Sequence, residues 1–111
     1  MNDKIKQDAT IEILIHPEES PIRGNLVASG DDVLDKQLED AVIEELEHNP
    51  WAWCMVEVKA SWKGLKASTF LGGCSYRSEA DFKVDGYYDD MIDEAIKELT
   101  QNASEIKAEL E

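Results

Sequence analysis

The spacing of apolar residues changes along the chain, and each change marks a predicted element. Between positions 51 and 76 (WAWCMVEVKASWKGLKASTFLGGCSY) side chains suit a period of two, interrupted at Lys63-Gly64. Glycine in a short loop supplies positive φ at little cost, so two antiparallel strands joined at Lys63-Gly64 are predicted, with Trp62 facing Leu65. In that register Val58 lies opposite Thr69, Val56 opposite Leu71 and Cys54 opposite Gly73. One face collects Ala52, Cys54, Val56, Val58, Ala60, Ala67 and Leu71, all small or aliphatic. The other collects Trp51, Trp53, Met55, Glu57, Lys59, Phe70, Cys74 and Tyr76, which are mostly large and partly charged.

The flanking segments read differently. Residues 1–10 are polar and are expected to form a flexible N-terminus, ahead of a single domain over 11–111. Positions 11–16 (IEILIH) predict a short strand stopped by Pro17, and a long loop follows, with an optional edge strand at 25–28. Leu34, Leu38, Ala41, Val42 and Leu46 recur at helical spacing, which predicts a helix over 32–48 ended by Asn49-Pro50. Glu45 falls inside that apolar stripe, although a place in the last turn lets it reach solvent. Ser78 and Asp81 have capping-box spacing before Phe82. From about Tyr88 a second helix places Met91, Ile92, Ala95, Ile96 and Leu99 on one face, continued by Ala103, Ile106 and Leu110. The order β-(β)-α-β-β-α predicts an α+β fold: a small antiparallel sheet of three to four strands with two amphipathic helices packed on one face.

Charge sharpens this picture. The 111 residues carry a net charge of −14, concentrated in the predicted helices. Residues 31–50 hold eight acids and one base, and residues 78–111 hold eleven acids and three bases. The hairpin between them has one acid and three bases. Such a field repels nucleic acid and anionic membranes and attracts basic protein surfaces. No run of about 18 apolar residues suggests a membrane span, and the N-terminus lacks the apolar core of a signal peptide, so a cytoplasmic protein is expected.

Catalytic and metal signatures are weak. His16, His48, Cys54 and Cys74 lack metal-ligand spacing, and the predicted register sends the two cysteines to opposite faces, Cys54 inward and Cys74 to the more accessible one. A Cys74–His16 nucleophile pair or a buried Glu45 would support a small thiol enzyme or hydrolase, but no motif accompanies either. No cofactor, no metal and no catalytic residue is assigned. The stronger signals are two candidate faces. Trp51, Trp53, Met55, Phe70 and Tyr76 form an aromatic face that is either open for binding or covered by residues 17–30. Asp35, Glu39, Asp40, Glu44 and Glu47 form an acidic helical face.

Four segments also carry a resemblance: RGNLVASGDD at 23–32, WAWCMVEV at 51–58, LGGCSY at 71–76 and DFKVDGYYDDM at 81–91. Together they resemble a family of small acidic proteins encoded by bacteriophages, prophages and mobile elements. The resemblance implies a cytoplasmic, non-enzymatic protein that binds a host factor, inhibitors of host defence included. The expectation is therefore a non-catalytic binder of a protein with a basic surface, in its sharpest form a nucleic-acid mimic. The alternative is an accessory protein that self-associates through the tryptophan face.

Overall fold

The computed structural model describes residues 2–110. Helix α1 (Asn2–Asp8) leads into strand β1 (Thr10–Pro17), and after a long loop comes helix α2 (Asp32–Leu46). A short 3-10 turn at Pro50–Ala52 precedes strands β2 (Cys54–Trp62) and β3 (Leu65–Cys74). One helical turn, α3 (Glu79–Lys83), and the long helix α4 (Gly86–Leu110) complete the chain. The strands form one antiparallel sheet in the order β1-β2-β3, so the fold is α+β as the sequence predicts. Lys63 and Gly64 form the hairpin loop with φ of 49° and 81°, the positive values that a two-residue turn of this hand requires.

Contacts group the chain into two compact units. The first takes the described residues up to Leu14, Glu57–Phe70 and the chain from Lys83 onward. Its core is Ile5, Ala60, Ala67, Ala95, Ile96 and Leu99, with Ala9, Ile11, Trp62, Leu65, Ile92 and Ala103 packed around it. Alternation on β2 and β3 delivers the small residues Ala60 and Ala67 to one face, which lets α4 approach closely with its 95/96/99 stripe. Thr69 Oγ1 donates to the Met91 carbonyl at 3.1 Å and fixes the height of the helix on the strand. The stripe outlasts the sheet, and Ile106 and Leu110 stay exposed.

Three expectations need correction. The fourth strand at 25–28 does not form. Instead, Asn25 and Leu26 donate their amides to the Ile22 carbonyl, and Gly24 makes the turn at φ +81°. The last helix opens at Gly86, ahead of the start expected near Tyr88, with Tyr87 N donating to Asp85 Oδ1 at 3.4 Å. The N-terminal segment, expected without an element, forms α1 and packs on α4. The reason is Ile5, one apolar residue in a polar run, which is fully buried. Lys6 donates to Asp93 at 2.5 Å, but both side chains are more than half exposed, and exposed pairs contribute little.

Ile5 therefore carries α1. Ile5→Ala is expected to cost about 2–5 kcal/mol in urea unfolding. An unchanged midpoint would show that the N-terminal segment contributes nothing to the core.

Candidate functional site

The second unit, Ile15–Val56 with Leu71–Phe82, holds most of the predicted binding residues. Helix α2 starts on Asp31, whose carboxylate accepts from Val33 N and Leu34 N, both at 3.1 Å. Three of its other carboxylates serve the preceding loop. Ser29 Oγ donates to Asp35 at 2.6 Å, Gly24 N donates to Glu39 Oε2 at 2.6 Å, and Arg23 pairs with Asp40 at 2.5 Å. Arg23 also lies 3.8 Å from the Glu39 carboxylate.

These bonds set which side of the helix faces inward. Glu39 is buried, and Asp35, Val42 and Leu46, on the same helical row, are half-buried. The predicted apolar stripe is turned by less than one residue's step from this row. Leu34 and Leu38 consequently remain 43% and 42% exposed, and Ala41 is exposed as well. Glu45, the carboxylate that the helical wheel placed in the stripe, is exposed and lies 3.3 Å from His48.

The acidic face expected of Asp35, Glu39, Asp40, Glu44 and Glu47 is thus only partly a solvent face. Glu44 and Glu47 are exposed, whereas Asp35, Glu39 and Asp40 hold the loop. The sequence carried one local clue, because a loop rich in Gly, Asn and Ser has backbone donors that need acceptors nearby.

Of the two alternatives for the aromatic face, Trp53 takes the covered one. Trp53 is 5% exposed, and its indole N–H donates to the Ser20 carbonyl at 2.7 Å, so the loop covers this ring rather than leaving it open. A Cβ added at Gly73 would stand 3.6 Å from the ring, an ordinary contact, so it is the φ of +64° that favours glycine there. Gly72 lies beside the Glu18 carboxylate. Trp51 is half-buried and packs against Phe82 and Tyr76, with ring centroids 5.7 and 6.3 Å apart. Met55 is half-buried. Phe70 belongs to the first unit and is 57% exposed, so the five residues do not share one open face.

Both cysteines are buried and neither is in a disulfide, which corrects the accessible position expected for Cys74. Gly73 at φ +64° interrupts the strand's alternation, and Cys74 turns inward, its Sγ 3.2 Å from the Leu71 carbonyl. Burial pushes the Cys54 thiol up to about 11, and the charges of Cys74 and Glu18 add to the shift. That direction opposes nucleophilic activation, which needs the thiolate near neutral pH.

Two cavities flank these residues. The smaller, about 250 Å³, is lined by Ile15, His16, Pro17, Glu18, Leu46, Pro50, Trp53 and Cys54. The larger is an open groove of about 740 Å³, bounded by Ala41, Val42 and Glu45 of α2 and by Asn49, Ala52, Ser75, Tyr76, Arg77 and Asp81. Among the described residues no three His, Cys, Asp or Glu side chains group as a metal site, and no helix is long and apolar enough to cross a membrane.

Two outcomes follow from this geometry. Glu39→Ala strands the Gly24 amide and is expected to cost about 1–3 kcal/mol, while Glu44→Ala on the exposed side stays within about 0.5 kcal/mol. Equal costs in chemical denaturation would contradict the placement of the two residues. For Cys54, the unfolded chain loses the thiol proton near its ordinary value of 9, whereas the folded chain keeps it up to about 11. The unfolded state then binds fewer protons, so stability falls as pH rises through that window. Cys54→Ala should lose less stability between pH 8 and 10.5 than the unaltered protein, and identical losses would contradict the buried thiol.

No protein-family model, no curated protein and no solved structure matches the chain.

Proposed function

We propose that this chain is a non-catalytic binding protein that engages a basic surface on a protein partner through its acidic helices. The observation that carries this reading is the acid left exposed after the loop has taken its share. Asp32 and Glu44 on α2, Glu47 at its C-terminal cap, and Asp89, Asp90, Glu94 and Glu98 on α4 all remain at the surface. Carboxylates placed this way repel one another, and a cationic partner relieves that repulsion on binding. The resemblance to small acidic phage and mobile-element proteins supports a host protein as the partner and the cytoplasm as the place of action.

The nucleic-acid mimic is the less favoured form of this reading, because three of its five carboxylates tie down the chain's own loop. Self-association through the tryptophan face is disfavoured by the burial of Trp53.

Replacing Glu44, Glu47, Asp89 and Asp90 by their amides tests the proposal. Recovery of a bacterial partner in a pull-down should fall several-fold with the variant. It should also fall with added salt, because these are exposed charges. Recovery unaffected by both changes would contradict binding through exposed acid.

A further inference from the structure

Leu34, Leu38 and Ala41 lie on one helical row of α2, and all three are exposed. The row does not end at Ala41. Ala41 and Val42 form the wall of the open groove whose opposite side includes Ala52 and Tyr76. An apolar track therefore runs along the helix and into a recess whose charged lining is Glu45, Asp81 and Arg77, two acids to one base. From Leu34 to Glu45 it extends about 16 Å, the length of three helical turns. Val33, one step round the helix, is 71% exposed and widens the track at its N-terminal end.

We infer that this track is the docking site for a basic amphipathic helix of the partner protein. The inference rests on the proposed binding function and assigns its apolar part. Charge selects the occupant. Residues 31–50, which carry the track, hold eight acids and one base. A second copy of the chain would bring the same excess of acid against itself, whereas a helix with Lys or Arg flanking its apolar row would neutralise it. Shape selects a helix: a straight row of side chains at i, i+4 and i+7 leaves a shallow ridge-and-groove surface that another helix fills. The partner's apolar anchors at matching spacing would cover Leu34 and Leu38, and its terminal anchor would enter the recess beside Tyr76.

The test uses two synthetic peptides of about 15 residues, long enough for a helix to persist. One has leucines at helical spacing on a lysine background, and the other has serine at each leucine. Each is titrated into the isotope-labelled full chain and followed by amide chemical shifts. The leucine peptide is expected to shift Leu34, Leu38, Ala41 and Tyr76, and to bind about tenfold or more tightly than the serine peptide. Leu34→Ser with Leu38→Ser should remove that advantage, while Ile43→Ser, 37% exposed on the opposite side of the helix and so of similar cost in stability per site, should leave it intact. Equal binding of both peptides, with shifts confined to acidic residues away from the track, would overturn the apolar site and leave charge-driven binding standing. Failure of both peptides to bind would overturn both readings. A concentration-dependent dimer in light scattering, abolished by the double serine variant, would assign the track to a second copy and overturn the basic helix.

Discussion

The hydrogen bond from the Gly24 amide to the Glu39 carboxylate is the constraint on which the orientation of α2 depends. The loop between β1 and α2 brings Gly24 N and the Ser29 hydroxyl against the helix, and such groups are costly to leave unanswered. A charge-assisted bond of this kind contributes about 1.5–3 kcal/mol, and Asp35 and Asp40 add contacts at weaker, exposed positions. Against this stands the incomplete burial of two leucines. Full burial of a leucine contributes about 1.5–3 kcal/mol, and at 43% and 42% exposure more than half of each is already covered. The polar contacts win, and the helix turns Glu39 inward.

That choice explains why the sequence was readable in some places and not in others. The hairpin was legible because its determinants are local: Lys63-Gly64 dictates the turn, and alternation then assigns Val56, Val58 and Ala60 to the buried face. α4 was legible because its apolar row and its buried row coincide at Met91, Ala95, Ile96 and Leu99. On α2 the two rows differ. Periodicity announces that a stripe exists, but it scores Glu39 as polar and cannot see the distant amide that Glu39 answers. Cys74 escaped for a related reason, since a single positive φ at Gly73 resets the alternation and leaves no mark in the hydrophobic pattern. Ile5 shows the opposite case, in which one buried side chain orders a segment whose composition argues against it.

The same balance shapes the surface offered to a partner. An exposed leucine row invites self-association, and dense negative charge around it opposes that by repelling identical copies. On the proposed reading, a net charge of −14 lets such a row stay uncovered while favouring cationic partners. Covering Trp53 with the Ser20 carbonyl removes a competing aromatic surface, which concentrates exposed apolar area in the second unit on α2. Binding through this face would combine salt-sensitive attraction with an apolar contact that salt leaves intact.

The orientation of α2 is tested most directly by adding a soluble paramagnetic probe to the methyl-labelled protein. Leu34 and Leu38 methyls, 43% and 42% exposed, should relax at rates between that of Leu110, 84% exposed, and those of the protected Val56 and Ile96. Protection of Leu34 and Leu38 comparable to that of Val56 would show that the apolar stripe faces inward, and would contradict the account.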